Sequence, residues 1–213
     1  MTIPTDRRTP VRNCLYGFAL AALCLSGTAR SDPGSPDAVI NDAIEELSIK
    51  LDGRKDALAA DPQALYALID EILLPRFDRK FAAQLVLAQH WRTADDEQRT
   101  RFIDAFYNSL LRKYADGLLE FNEDRIEVNP YRGDRAAKRA VVKTIVTLND
   151  GTTVPVDYDL VNRGDRWLIF NVKVEGVSYV TNYRKELDAE IQASSLTAVI
   201  ERLEAESGPD KDG

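Results

Sequence analysis

Residues 167–184 read W-L-I-F-N-V-K-V-E-G-V-S-Y-V-T-N-Y-R, and this stretch decides the fold. Its first half alternates, with one face made of Leu168, Phe170, Val172 and Val174 and the other of Asn171, Lys173 and Glu175. A period of two predicts a β-strand with one buried face. Gly176 ends the strand, and a polar, aromatic segment follows as far as Arg184. We therefore predict the central strand of a curved sheet that leads directly into a helix.

Three further strands precede this one. Apolar and polar residues alternate with a period of two in a segment that begins at Arg125, from Ala140 to Leu148, and from Val154 to Leu160. Asn149-Asp150-Gly151 is a hairpin signal between the last two strands. Upstream, apolar residues recur at helical spacing, and the longest predicted helix runs from about Ala94 to Leu119. The chain is therefore predicted to be an α+β protein with a four-stranded antiparallel sheet covered by multiple helices.

The N-terminal segment has the pattern of a secretory signal peptide. Arg7, Arg8 and Arg12 form a basic start, an apolar run follows from Leu15 to Leu25, and small residues occupy 27–29. We expect residues 1–29 to be removed on export. Residues 30–36 are then predicted to be a linker, 37–206 a single domain, and 207–213 a disordered polar tail.

Charge and cysteine content narrow the possible functions. The 213 residues carry a formal net charge of −7. Residues 1–29 contain three Arg and one Asp, so their loss leaves 25 basic and 34 acidic residues, a net charge of −9. This acidic balance argues against nucleic acid as a partner. Cys14 and Cys24 both lie in the N-terminal segment, so no disulfide framework or thiol nucleophile is expected afterwards.

No residue pattern predicts catalysis or metal binding. His90 is the single histidine, so a His/Cys metal cluster is not expected, and we interpret it as a helix cap or packing residue beside Trp91. Asp157 and Asp159 share one face of a strand and are expected to point to solvent, although paired carboxylates can act as acid and base. Ser178 lacks the G-x-S-x-G pattern of a nucleophile elbow. We therefore predict a protein that is not an enzyme and holds no metal.

Several longer motifs add to this picture. They are Leu74-Pro75-Arg76-Phe77-Asp78; W-R-T-A-D-D-E-Q-R-T-R-F at 91–102, followed by Phe106, Leu110 and Tyr114; V-D-Y-D-L at 156–160; G-D-R-W at 164–167; and Val172 to Ser178 with Asn182-Tyr183-Arg184. In this order they resemble the MlaC family, also called the toluene-tolerance or ABC-transporter auxiliary family, from about Val39 to Leu203. The chain departs from that pattern at Asn171, where Asp is expected, at Tyr179, where an aliphatic residue is expected, and at Ala88 or Gln89, where Gly is common.

The resemblance implies an NTF2-like cone elaborated with extra helices. It implies a monomeric periplasmic phospholipid carrier that shuttles lipid between outer- and inner-membrane complexes. The implied partners are phospholipid, an inner-membrane ABC transporter with an MCE-domain protein, and an outer-membrane lipoprotein–porin complex. No cofactor is implied, because the bound phospholipid is cargo.

On this interpretation, acyl chains lie between the sheet and the helices. The expected sheet wall is Val142, Val146, Val156, Tyr158, Phe170 and Val172, and the expected helical lining is Leu85, Trp91, Phe106, Leu110 and Tyr114. Each buried methylene contributes about 0.8 kcal/mol, so two chains of roughly 15 carbons need on the order of 20 kcal/mol of apolar contact. Two alternatives stay open: an NTF2-like enzyme acting on a small apolar substrate, and an adaptor whose cavity is filled by its own side chains. A polar residue with a shifted pKa deep in the cavity would favour the enzyme, and a cavity far too small for acyl chains would favour the adaptor.

Overall fold

The computed structural model describes residues 34–207. The predicted signal peptide at 1–29, most of the linker and nearly all of the predicted C-terminal tail lie outside the described residues. The α-helices are α1 (Pro36–Leu51), α2 (Lys55–Ala60), α3 (Pro62–Leu73), α4 (Arg79–Leu87), α5 (His90–Thr93), α6 (Asp96–Tyr114), α7 (Tyr179–Ala193) and α8 (Leu196–Glu206). The strands are β1 (Ile126–Val128), β2 (Arg139–Thr147), β3 (Thr153–Asn162), β4 (Trp167–Val174) and β5 (Val177–Ser178).

The strands form one antiparallel meander in the order β1-β2-β3-β4-β5. The predicted α+β class is confirmed, and the sheet also has a fifth, two-residue strand that the sequence did not predict. Strand β5 pairs with β4 because Glu175 (φ 51°) and Gly176 (φ 79°) both adopt left-handed backbone conformations and turn the chain tightly. The predicted hairpin between β2 and β3 has Gly151 at φ 85°.

The prediction that Leu168 shares a face of β4 with Val172 and Val174 was wrong. Trp167 is 1% exposed and Ile169 3% exposed, and Ile169 pairs with Leu160 on the same face of β3 as the partners of Val172 and Val174. The register between β3 and β4 shifts at Asp159/Leu160, which leaves Phe170 as an extra residue opposite β3. Such a bulge bends a strand and redirects the side chains that follow it. The sheet is therefore curved at the point where helices cover it.

Helix α1 closes one part of the sheet. Ile40 packs against Ala140, Val142, Leu160, Trp167 and Ile169 in a continuous apolar cluster. Pro36 occupies the first turn of α1, where its fixed φ and missing N–H are tolerated. This part of the sheet is thus a conventional filled core.

The remaining helices pack mainly on one another. Helix α6 begins with a capping box in which Asp95 accepts from the Gln98 N–H and the Gln98 side chain accepts from the Asp95 N–H. Arg101 of α6 donates two hydrogen bonds to the Glu204 carboxylate of α8, at 2.9 and 2.8 Å. Helix α6 ends at Tyr114 and a 3-10 turn follows over Ala115–Glu120, so the predicted helix to Leu119 was too long.

Candidate functional site

An apolar cavity of about 350 Å³ lies between β4 and the helices α3, α4, α6 and α7. Its volume is at the lower end of the range of roughly 300–1,000 Å³ that is usual for ligand pockets. The lining residues are Ile69, Leu73, Phe77, Arg79, Ala82, Ile103, Phe106, Tyr107, Leu110, Leu111, Tyr114, Ala115, Leu118, Phe170, Asn171, Val172, Val174, Tyr179, Val180 and Tyr183. Arg79, Asn171 and four tyrosines carry the polar side-chain atoms of this set, so the wall offers mainly van der Waals contact.

Three tyrosines border the cavity where it reaches the surface. Tyr114 is 42% exposed, whereas Phe106 deeper in the wall is buried. The Tyr114 and Tyr183 hydroxyl oxygens are 3.2 Å apart, which joins α6 to α7, and the Tyr179 ring meets the Tyr114 ring edge-on. Partial burial raises the pKa of all three hydroxyls, so they stay neutral at physiological pH.

The β4 wall is fixed by a buried amide. Asn171 is 6% exposed, and its Oδ1 accepts hydrogen bonds from the Ser178 hydroxyl and the Val180 N–H, each at 3.1 Å. Its Nδ2 donates to Asp159 at 2.7 Å, and Asp159 also pairs with Lys173 at 2.7 Å. These bonds tie β3 and β4 to the start of α7. The expectation that Asp159 points freely to solvent was therefore wrong, because the β4 bulge brings two donors to its carboxylate.

A second polar group lies where α6 meets α3 beside the cavity. The Tyr107 hydroxyl donates to Asp70 at 3.1 Å, which joins α6 to α3. Burial, followed by the nearby Asp70 carboxylate, raises the pKa of Tyr107 well above its ordinary value. The Arg79 guanidinium lies 5.1 Å from the centre of the Tyr107 ring and pairs with Asp104 at 3.1 Å. Arg79 is thus paired within the protein, and the Asp70 carboxylate accepts a hydrogen bond from a neutral hydroxyl.

Five of the eleven predicted lining residues border this cavity: Phe106, Leu110, Tyr114, Phe170 and Val172. The other six lie elsewhere. Val142 and Tyr158 belong to the core under α1, and Leu85 and Trp91 pack on the core formed by α4, α6, α7 and α8. Val146 pairs with β1 and borders a small surface groove, and Val156 pairs with Thr144 and Val174. A role of any of the eleven in lipid contact stays a prediction.

Sequence patterns missed the contribution of α3 and α7 to the cavity. Tyr179 and Tyr183 are four residues apart, a spacing that puts them on one face of a helix once α7 is known to begin at Tyr179. Ile69 and Leu73 have the same spacing in α3. The signal was present, but spacing alone does not distinguish a cavity wall from a filled core.

The single histidine makes a structural contact between two helices. His90 Nε2 lies 2.7 Å from Asp188 Oδ1, which links α5 to α7, and Gln89 donates to the same carboxylate oxygen at 3.0 Å. Hydrogen bonds from His90, then from Gln192 and Gln89, lower the pKa of Asp188. Within residues 34–207, no group of three or more His, Cys, Asp or Glu side chains is arranged to hold a metal ion. None of the helices in that same range has both the length and the apolar character to cross a membrane.

The family model described as "MlaC protein" matches residues 41–205. The chain belongs to the MlaC family. It is similar to the toluene tolerance protein ttg2D of Pseudomonas putida, at 33% identity over 153 residues that cover 71% of each chain. It is also similar to the intermembrane phospholipid transport system binding protein MlaC of Haemophilus influenzae, at 20% identity over 190 residues that cover 88% of each chain.

A solved structure shares the fold of this MlaC family member. It is the phospholipid-binding protein of Ralstonia solanacearum in complex with a phospholipid, with a TM-score of 0.73 and 21% sequence identity. The match covers 82% of the present chain and 97% of the Ralstonia chain. At this identity the likeness establishes the fold.

Proposed function

We propose that this protein carries phospholipid through the periplasm and holds the acyl chains in the cavity between β4 and helices α3, α4, α6 and α7. The observation that carries the proposal is the cavity itself, whose wall is almost wholly apolar and which reaches the surface beside Tyr114. Membership of the MlaC family and a fold shared with a phospholipid complex support it.

The proposed route runs between two membranes. The Haemophilus relative is named for an intermembrane phospholipid transport system. We therefore propose that the lipid passes between an inner-membrane ABC transporter with an MCE-domain protein and an outer-membrane lipoprotein–porin complex. The signal-peptide pattern of residues 1–29 supports a periplasmic location.

The cavity size agrees with an acyl chain as occupant. At about 30 Å³ for each water-sized group, which is also roughly the size of a methylene, about 350 Å³ holds on the order of twelve methylenes. Most of one acyl chain therefore fits without rearrangement, whereas two chains exceed this volume. A cavity of this size disfavours the adaptor alternative, in which the protein's own side chains fill the space.

The polar groups around the cavity favour a carrier over an enzyme. Asn171 is held by Ser178, Val180 and Asp159, and Tyr107 is held by Asp70. Tyr107 is a polar residue of the cavity wall with a shifted pKa, which is the feature expected of the enzyme alternative. The pKa is raised, however, so the hydroxyl stays protonated and is not a general base at neutral pH.

The proposal is tested by extracting lipid from protein purified from cells and measuring phospholipid per protein by mass spectrometry. Wild type should carry phospholipid. Ala82→Phe places an aromatic ring in the cavity wall and should lower the bound amount several-fold.

The matched control is Ala189→Phe, on the exposed face of α7, which should carry as much lipid as wild type. Wild-type protein free of phospholipid would contradict the proposal, and so would folded Ala82→Phe protein with an unchanged lipid content.

A further inference from the structure

An ammonium group lies beside the opening of the apolar cavity. Lys113 Nζ is 3.4 Å from the Tyr183 hydroxyl oxygen, and it is 5.6 and 5.7 Å from the centres of the Tyr114 and Tyr183 rings. Both tyrosines line the cavity, and their hydroxyl oxygens are 3.2 Å apart. The ammonium group is therefore held against the cavity wall where α6 and α7 meet.

Lys113 retains both charge and hydrogen-bonding capacity. An ammonium group has three N–H donors and no acceptor, and the Tyr183 hydroxyl uses one of these donors. Glu186 and Lys113 both line a polar pocket between α6, α7 and α8. Within the described residues 34–207, however, neither of these two side chains makes an ion pair. The charge of Lys113 is thus not neutralised by a carboxylate at ion-pair distance.

Polar groups elsewhere in the cavity wall are engaged within the protein. Arg79 pairs with Asp104 at 3.1 Å, and the Tyr107 hydroxyl donates to Asp70 at 3.1 Å. The buried amide that fixes β4 is hydrogen-bonded through both its oxygen and its nitrogen. Lys113 differs from these groups because its remaining donors can reach a ligand.

The neighbouring cation, Arg112, is placed differently. It also lines the polar pocket and makes no ion pair in the described part of the chain. Its guanidinium lies 5.0 Å from the centre of the Tyr66 ring of α3, and Tyr66 is not among the residues that line the apolar cavity. The contacts of Arg112 therefore lead away from the cavity, whereas those of Lys113 lead to its wall.

The chemistry beside the opening suits a phosphodiester. Partial burial raises the pKa of the Tyr114 and Tyr183 hydroxyls, so both stay protonated at neutral pH and can donate hydrogen bonds. A phosphodiester is anionic at neutral pH, and its oxygens accept strong hydrogen bonds from cationic donors. In a phospholipid this group lies between the acyl chains and the headgroup. With an acyl chain in the cavity, the phosphodiester thus lies at the opening.

We infer that Lys113, together with the Tyr114 and Tyr183 hydroxyls, binds the phosphodiester of the lipid whose acyl chain occupies the cavity. This inference rests on the proposed carrier function and adds a preference for lipids that carry a phosphate. Lys113 is exposed, so its contribution is modest, on the order of threefold in lipid retention.

The test compares two lipids that differ in the phosphate-bearing headgroup. Delipidated protein is mixed with vesicles that contain phosphatidylglycerol and diacylglycerol with identical acyl chains, and bound lipid is counted by native mass spectrometry. The readout is the ratio of the two bound lipids in a variant divided by the wild-type ratio, which cancels their different tendencies to leave the vesicle. Lys113→Met keeps an unbranched apolar side chain and removes the charge. It should lower the ratio about threefold by reducing bound phosphatidylglycerol and leaving bound diacylglycerol unchanged. The double variant Tyr114→Phe/Tyr183→Phe should lower the ratio in the same direction.

Two cation variants serve as controls. Lys138→Met removes an exposed charge from a residue that does not line the cavity or the polar pocket, and Arg112→Gln removes the neighbouring cation. Both should keep the wild-type ratio. Excess glycerophosphoglycerol, which has the same phosphodiester without acyl chains, should not displace bound lipid.

The outcomes separate this inference from the carrier function. A wild type that binds phosphatidylglycerol, with an unchanged ratio in Lys113→Met, would overturn the phosphodiester site and leave the carrier function standing. An equal loss in Arg112→Gln would place the phosphate in the polar pocket and overturn the inference. Displacement by glycerophosphoglycerol would assign Lys113 to a free phosphoester and also overturn it. Wild type that binds neither lipid would overturn both proposals.

Discussion

The sheet is covered in two different ways, and the difference shows how a cavity forms in an otherwise filled protein. Under α1, Ile40 packs directly on Val142, Leu160 and Trp167. Beyond the β4 bulge, Val172 and Val174 face the apolar cavity instead. Both regions are built from the same aliphatic and aromatic residue types. Composition therefore does not decide between them; what decides is whether the covering helix packs on the sheet or on other helices.

Helix α6 shows the physical basis of this choice. Phe102, Ala105 and Phe106 pack into the core with α7 and α8, and Phe106 stacks on Phe102 and meets Tyr183 edge-on. The neighbouring stripe of the same helix, Ile103, Tyr107, Leu110 and Tyr114, lines the cavity. Ion pairs from Arg101 and Arg202 fix α6, α7 and α8 to one another. The helices thus form their own core, and the second stripe of α6 borders the cavity instead of packing on the sheet.

The largest expected effect comes from replacing one leucine by alanine in each of the two regions. Leu160→Ala removes a fully buried residue under α1 and should lower the free energy of unfolding by about 3 kcal/mol. Leu110 borders the cavity, so Leu110→Ala should lower the free energy of unfolding by about 1 kcal/mol or less, because few atoms lose a contact. Urea unfolding measures both. Equal losses would show that the cavity is closed by packing in solution.

Next in size is the amide that fixes the β4 wall of the cavity. Asn171→Ala leaves the buried Val180 N–H without its acceptor and should lower the free energy of unfolding by about 2 kcal/mol. The control is Asn182→Ala on the exposed face of α7, which should change it by less than about 0.5 kcal/mol. If the two variants were equally stable, Asn171 would not anchor α7 to the sheet.

Much of the architecture could be predicted from sequence, but the division between filled and open regions could not. Strands β1 to β4 and helices α1, α3 and α6 follow from their periods of 2 and 3.6 residues. Sequence periodicity alone treats the apolar stripe of α6 as one surface, because Phe102 and Ile103 are adjacent in sequence and separating them requires knowing where α8 lies. The bulge at Phe170 was invisible for a related reason: it depends on the register with β3, which is a long-range property.

Backbone strain is also unequally distributed between the two regions. The two non-glycine residues with positive φ in the described chain are Glu175, in the turn after β4, and Ala88, at the end of α4, and both elements border the cavity. Ala88 has φ 47° and ψ −108°, a conformation that glycine adopts with little cost, at one of the two positions where the family resemblance predicts Gly.

Relieving this strain should stabilise the protein. Ala88→Gly is expected to raise the free energy of unfolding by about 1 kcal/mol, measured by urea unfolding. Ala189→Gly, inside α7, should lower it by about 1 kcal/mol, since glycine is a poor helix former. Destabilisation by both substitutions would mean that Ala88 is unstrained in solution.

The smallest effect concerns the link between α5 and α7. Hydrogen bonds from His90 and two glutamines lower the pKa of Asp188 from 3.8, so the folded state favours the carboxylate. This stabilisation is present above the ordinary carboxyl pKa and is lost as pH falls through the lowered value. Asp188→Asn should therefore lower Tm slightly at neutral pH, and the difference from wild type should vanish in acid. Asp116→Asn, an exposed carboxylate, should leave Tm unchanged at both pH values; a deficit of Asp188→Asn that persisted in acid would contradict the linkage.

The most direct test of the cavity as the acyl-chain site is photolabelling with a phospholipid that carries a diazirine in its acyl chain. After illumination, peptide mass spectrometry locates the adducts. The account predicts adducts on Leu110 and Tyr114 of α6 and on Val172 and Val174 of β4, and none on Val142 or Leu160 under α1. Adducts confined to exposed apolar residues such as Ile49, Val141 and Leu148, with the cavity wall unlabelled, would contradict it.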